Sequence, residues 1–283
     1  MVLAVVADRD RSPVELPSSR ARNEISFERH ILPNFGAVQL ARVDRASLRE
    51  WVAQMSDPDG AGLAPSTVTK NVQAFNRLMR AALEDRLIAA NPVERLPVPR
   101  IEREEMRFLT PTELSTLADA IDQRYRAFVL LAGYGGLRLG ELLGLRWKHV
   151  DTKGRHVHVS ETLVAVRGQI SFGAPKTRAA IRTVSLPGFV IDALTALGGS
   201  DRDPLGLVFT SPEGQPIRPS LFRRRFWVPA VETAGLSPLR IHDLRHTAVA
   251  LWIAAGGHPK QIAARAGHTS VAVVLDRYGH LLP

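Results

Sequence analysis

The sequence of 283 residues contains no cysteine. That excludes disulfides, thiol nucleophiles and zinc bound through thiolates. No apolar run approaches the ~20 residues needed to cross a bilayer, and the opening Met-Val-Leu-Ala-Val-Val-Ala is too short, and wrongly flanked, for a secretory signal. The expectation is a cytoplasmic protein with no membrane partner. Lysine is scarce, with Lys70, Lys148, Lys153, Lys176 and Lys260 the five among 37 basic residues. Tyrosine is scarcer still: Tyr125, Tyr134 and Tyr278. Internal repeats and low-complexity segments are also missing. Each lysine and tyrosine position therefore carries weight.

What is present is an ordinary globular balance, 45% hydrophobic and 23% charged, in a chain long enough for two domains. The formal net charge of +9 raises the prior for a polyanionic partner. Its distribution is uneven. Residues 1–105 carry 15 basic and 15 acidic side chains, whereas residues 106–283 carry 22 and 13, so all the excess lies in the second part.

Residues 1–18 mix Asp, Arg, Ser and Pro without periodicity and read as a poorly ordered lead-in. Helical pattern begins near Ser19. Leu48, Trp51, Val52 and Met55 fall on one face of a helix from Asp44. Ser66 is read as the cap of a long helix to about Glu84, with Val68, Val72, Phe75, Leu78, Met79 and Leu83 in its apolar stripe. Residues 19–91 thus form a small helical domain. Three prolines, Pro92, Pro97 and Pro99, make residues 92–107 a semi-rigid linker. Order resumes at Thr110-Pro-Thr-Glu113, a capping box with proline at the first helical position. A helix from about Arg124 ends at Gly135-Gly136, and another begins at Leu137. Between His156 and Leu186 the period changes to two, with turn signals at Arg167-Gly168 and Gly173 to Pro175, predicting three antiparallel strands. Helices return from Pro219. The fold class is mainly α with a small antiparallel β-sheet (α+β), and the second domain spans 108–283.

Ile241 to Tyr278 holds the densest chemistry: Ile-His-Asp-Leu-Arg-His-Thr, then Ala-Gly-His at 266 to 268, then Asp-Arg-Tyr-Gly-His at 276 to 280. Histidines, an arginine and a tyrosine suit holding a phosphate and attacking it with a phenol. Arginine grips two oxygens at once and stays charged, histidine moves protons near neutral pH, and lysine can protonate an alkoxide. Upstream, Gly-Gly-Leu-Arg-Leu-Gly-Glu-Leu (135 to 142) places Arg138 just after a glycine break that lets the backbone press close to a ligand. An exposed arginine paired with Glu141 is the other reading of that segment.

Gly-Leu-Arg-Leu-Gly-Glu-Leu, then His-Asp-Leu-Arg-His-Thr about a hundred residues later, then Gly-His and a tyrosine ten residues on, resembles the tyrosine recombinases of the phage integrase type. The resemblance runs from about residue 20 to the C-terminus. It implies that Arg138 and Arg245 clamp a scissile phosphate and that His242 is general base and phosphate ligand. His268 would donate a hydrogen bond to the phosphate, and Lys176, placed at a hairpin turn, would protonate the leaving 5′-oxygen. Tyr278 would form a 3′-phosphotyrosyl link. The first domain is similar to the family's core-binding domain, which with the catalytic domain clamps duplex DNA. Lys70, Arg77 and Arg80 are the candidates to face DNA, with Glu84 and Asp85 facing away. The implied partners are double-stranded DNA at specific recombination sites, three further copies in a homotetramer on synapsed DNA, and accessory directionality or bending proteins. The implied setting is the bacterial or phage nucleoid. No metal or other cofactor enters this chemistry.

Duller readings cover the remaining residues. Tyr125 and Tyr134 read as core, and His246, offset by about 40° from His242, as structural. His149, His156, His158 and His258 read as solvated or strand-surface residues, His280 as outside the site, and Glu141 as the group that orients Arg138. Arg223, Arg224 and Arg225 read either as a solvated helix face or as phosphate contacts. Residues before position 20 leave no room for an arm-binding module, and the chain ends five residues after Tyr278, so recombination is less secure than strand cleavage. Two rivals share these features: a type IB topoisomerase-like enzyme that reseals the same strand, and a truncated non-catalytic protein occupying recombination sites.

Overall fold

The computed structural model describes residues 17–102, 106–198 and 203–282. Of the expected lead-in at 1–18, residues 1–16 lie outside them, while 17 and 18 belong to the first helix. The chain divides into two compact units, Met1–Glu104 and Glu105–Pro283.

The first unit is helical. Helix α1 (Pro17–Ser26) continues through a π-helical turn, Phe27–Ile31, into Leu32–Phe35. Helix α2 (Arg45–Ser56) starts where Asp44 Oδ1 accepts from the amides of Ala46 (2.7 Å) and Ser47 (2.9 Å), satisfying two of the donors a helix start leaves open. Helix α3 (Pro65–Glu84) starts one residue earlier than Ser66 implies. Ala64 is its cap residue and Pro65, which has no N–H to satisfy, opens the first turn. The expected stripe is buried except Leu83, which is exposed; Ala82 takes its place. Phe35, Trp51 and Phe75 meet at ring-centroid distances of 5.1 to 5.6 Å, and the Trp51 indole N–H donates to the His30 carbonyl at 2.9 Å. The proline-rich segment does not start as a free linker. Val93 and Leu96 are buried in this core, and the Arg45 guanidinium donates to the carbonyls of Glu94 (2.8 Å) and Arg95 (3.3 Å).

The second unit begins with helix α4 (Pro111–Ala120), whose capping box forms as the sequence implies. The Thr110 hydroxyl accepts from the Glu113 amide at 3.2 Å, while Glu113 accepts from the Thr110 amide at 2.8 Å. Helix α5 (Arg126–Gly135) is apolar on every face and runs through the centre of the core. The short helix α6 (Leu139–Leu143) follows. Five strands then form two sheets, where one sheet of three was expected. Strands β1 (Val150–Asp151), β2 (His156–Val159) and β5 (Arg182–Ser185) make an antiparallel sheet in the order β1-β2-β5. Strands β3 (Thr162–Val166) and β4 (Gln169–Gly173) pair only with each other, across the Arg167-Gly168 turn. Because β4 and β5 belong to different sheets, Gly173 to Pro175 opens a crossing loop and not a hairpin.

Helix α7 (Gly188–Gly198) packs on α5. Helix α8 (Pro219–Phe222) passes through a π-helical turn, Arg223–Trp227, into α9 (Val228–Thr233). Helix α10 (Asp243–Ala254) packs along α5, and α11 (Pro259–Ala266) and α12 (Ala272–Tyr278) close the unit. A smaller apolar cluster, including Trp252, Ile262, Val274 and Tyr278, holds these last helices together.

Candidate active site

The site begins with two helix ends. Helix α5 stops at Gly136 and helix α11 at Gly267, both left-handed, with φ of 64° and 68°. Side-chain-bearing residues avoid that region, and here close neighbours add to the cost. A Cβ at Gly136 would lie 2.7 Å from Cη2 of Trp252, and one at Gly267 would lie 3.0 Å from the Ala179 carbonyl. The glycine break is therefore fixed by packing, where the sequence suggested a pliable one. It turns the chain so that Arg138 follows one end and His268 the other.

The two site arginines brace these ends crosswise. Arg245, on α10 and 4% exposed, donates to the carbonyls of Gly136 and Ala266, each at 2.5 Å. Arg138 donates to the Gly267 carbonyl at 3.0 Å. Glu141 orients Arg138, accepting from its guanidinium at 2.8 Å and its backbone amide at 2.9 Å. The second oxygen of Glu141 also accepts from Arg182 at 2.9 Å. Arg182, buried on β5, further donates to the carbonyls of Arg265 (2.7 Å) and Ala180 (2.9 Å). Burial alone would raise the Glu141 carboxyl, but hydrogen bonds and charge from Arg182, with those from Arg138, hold it below the usual carboxylate value. It is ionised, and it bridges two cations.

Positive charge is still in excess. Burial first, then the charges of Arg138 and Arg182, pull Arg245 down to about 9. The same surroundings, burial followed by Arg245 and Arg138, push His268 down to about 4, so its ring is neutral near pH 7. Its Nδ1 is buried without a hydrogen-bond partner among the described residues. His242, at the start of α10, is exposed overall, yet local desolvation and then the Arg245 charge also lower its pKa. Arg138, Arg245, His242 and His268 are thus close enough for their charges to act on one another, forming one electropositive cluster.

Tyr278 closes the arrangement from the end of α12. It is 1% exposed, and burial raises its phenol against the opposing charges of Arg245 and Arg277. Its hydroxyl lies 2.6 Å from Nδ1 of His246. His246 is buried, and its ring stands edge-on to that of His242 at 4.9 Å. Burial and then the His242 charge push His246 down to about 4.

Lys176 is the expected site residue that the structure leaves apart. It is exposed in the loop between β4 and β5, not at a hairpin turn, and no hydrogen bond or ion pair joins it to the cluster among the described residues. Arg223, Arg224 and Arg225 are exposed on the π-helical turn, and Lys70, Arg77 and Arg80 are exposed on α3. Arg77 also donates to the Asn23 side chain. Glu84 follows Arg80 by four residues, which on a helix puts it beside that arginine and not on the far side. Tyr125 is core, its hydroxyl donating to the Thr210 carbonyl at 3.1 Å, and Tyr134 packs against Phe189.

Two site residues escaped the sequence reading. An offset of about 40° between His242 and His246 places both on the same helix face, so that spacing signalled a shared site. Arg182 shares a strand face with Val184, whose side chain faces the core, and an arginine on the apolar side of a period-two strand signals a buried ionic partner.

The phage integrase family model matches residues 107–283. The chain is 30% identical over 267 residues to a putative prophage phiRv2 integrase of Mycobacterium tuberculosis, covering 93% of this chain and 69% of that protein. It is 26% identical over 282 residues to the ICEBs1 integrase of Bacillus subtilis (strain 168), covering 94% and 75%. In fold it is similar to the Tn1549 transposon integrase in complex with circular intermediate DNA, with TM-score 0.81, 20% identity and 98% and 95% of the two chains covered. It is also similar to a lambda integrase dimer bound to a COC′ core site, with TM-score 0.72, 17% identity and 98% and 95% covered. With the model matching the whole unit that holds the arginines, histidines and tyrosine, the chain belongs to the phage integrase family of site-specific tyrosine recombinases.

Proposed function

We propose that this recombinase cleaves and rejoins double-stranded DNA through a 3′-phosphotyrosyl intermediate on Tyr278. One observation supports this above the others: a buried phenol stands beside a cluster whose two clamping arginines, Arg138 and Arg245, have only part of their charge met by Glu141. Guanidinium donors fixed before the reaction stabilise charge developing on non-bridging oxygens without reorganising. Arg138 and Arg245 clamp the phosphate, while His242 and His268 add hydrogen bonds to it. The phenolic oxygen of Tyr278 bonds to phosphorus as the bond to the 5′-oxygen breaks, and Lys176 gives that oxygen its proton. Rejoining reverses the steps. The ester energy is kept in the phosphotyrosine, so no nucleotide cofactor is consumed.

Because Tyr278 is 1% exposed, seating of DNA has to uncover it, and Lys176, on its exposed loop, has to be carried in by the same event. Residues 19–91 act as a core-binding domain through Lys70, Arg77 and Arg80, and Arg223 to Arg225 contact the backbone of the same duplex. The working unit is a homotetramer on two duplexes, assisted by accessory directionality or bending proteins, in the cytoplasm at the nucleoid. No helix among the described residues is long and apolar enough to cross a membrane. The test is a nicked suicide duplex built on a sequence that the full chain selects from a random pool. A covalent complex is expected with the wild type and none with Tyr278→Phe. A selected duplex that is bound but never trapped would overturn the reading.

A further inference from the structure

Among the described residues Tyr278 offers its hydroxyl to one protein group, and that group is not His242. The hydroxyl oxygen lies 2.6 Å from Nδ1 of His246, and both residues are buried. A general base must stand within hydrogen-bond reach of the proton it removes. His246 meets that condition already. It is held on α10, one turn from His242 and next to Arg245, so the base and the phosphate clamp share one rigid helix. The Tyr278, His246 and His242 rings stand in sequence, with centroid separations of 5.8 and 4.9 Å.

We propose that His246 is a catalytic residue that accepts the phenolic proton of Tyr278 as the bond to phosphorus forms. The proposal rests on Tyr278 being the nucleophile, and it moves proton acceptance from His242, which keeps its place as a phosphate ligand. The direction of the hydrogen bond agrees with this. His246 is neutral near pH 7, with a pKa of about 4, and Tyr278 is protonated, so the phenol donates and the Nδ1 lone pair accepts. In the cleavage step the Oη–P bond forms, the P–O5′ bond breaks, the phenolic proton passes to Nδ1, and the leaving oxygen takes a separate proton from Lys176. On rejoining, the imidazolium returns its proton to the departing phenolate. An imidazole this weakly basic takes the proton late, once bonding to phosphorus has made the phenol strongly acidic.

The test uses the full chain and the selected, nicked duplex, with adduct formation and duplex affinity measured together. His246→Ala removes the acceptor. His246→Asn keeps an acceptor oxygen near the place of Nδ1 but cannot take a proton. Both are expected to trap adduct at least about 100-fold more slowly than wild type, with duplex affinity unchanged. A second duplex carries a 5′-bridging sulfur at the scissile phosphate, whose thiolate leaves without a proton. It should restore Lys176→Ala and leave both His246 variants slow. Near-wild-type cleavage by His246→Asn would reduce His246 to a positioning residue and overturn the inference. So would recovery of the His246 variants on the sulfur-bridged duplex, or a fall in affinity that matches the fall in rate. Absence of adduct with wild type, or its persistence in Tyr278→Phe, defeats the assignment of Tyr278 instead, and is distinguished by that control.

Discussion

The two units bury different things. Among the described residues, the first buries an apolar core in which Ser26 and Asn71 are the only polar members. The second buries Glu141, Arg182, Asp243, Arg245, His246 and Thr247. Removing charge from water is costly, and a buried ion pair often stabilises a fold no better than apolar residues of similar volume. Stability therefore does not explain why one half of the chain maintains this network. Perturbed ionisable groups concentrate where chemistry is done, and here the most strongly depressed groups, Arg245, His246 and His268, lie within one unit. The charge bias follows the same division, since all of the +9 excess belongs to residues 106–283.

That contrast can be broken most directly at Glu141. Glu141→Ala leaves Arg138 and Arg182 without their shared carboxylate, and losing one partner of a buried pair costs about 3–5 kcal/mol. Hydrogen exchange of peptides from the second unit should show that loss, and peptides from the first unit should not change. Next is Arg245→Lys, which keeps the charge but loses the fork that grips two carbonyls. Trapping of the suicide duplex should fall by roughly 10²–10³, with a smaller change in affinity.

Acid should separate the units again. His246 and His268 have folded-state values lowered to about 4 from the ordinary 6.5. Below pH 6.5 the unfolded chain binds protons that the folded chain refuses, so the stability of the second unit is expected to decline from about pH 6.5 to about pH 4. The first unit contains a single histidine, His30, and should decline less over that range in the same exchange experiment. The smallest effect belongs to the surface. Lys70→Ala or Arg77→Ala should weaken duplex binding at moderate salt and reduce the salt slope by about 1 each. An unchanged slope would remove the first unit from the DNA contacts.

The residues of the candidate site that the sequence singles out lie in short, rigid local contexts, which is what makes them legible. Asp44 and Thr110 cap the helices they were read to start or precede, and the Gly-His and Gly-Leu-Arg segments are helix ends whose left-handed glycines direct His268 and Arg138 inward. Long-range pairing was less legible. Nothing local says that β3 and β4 pair only with each other, so the sheet count and the setting of Lys176 were misread. Arg182 needed the strand alternation to be weighed against its charge. His246 needed the helix period to be read correctly, since residues four apart lie on one face. The Tyr278–His246 contact joins residues 32 positions apart on two helices and emerges only from their packing.

The most direct measurement is the position of the covalent bond. Wild-type protein trapped on the nicked duplex is digested with protease, and the nucleotide-bearing peptide is sequenced by mass spectrometry. Attachment at Tyr278, through a 3′-phosphate and with the 5′-hydroxyl freed, is the expected result. Attachment at Tyr125 or Tyr134, or to a 5′-phosphate, would contradict the buried arginine, histidine and tyrosine cluster as the centre of the reaction.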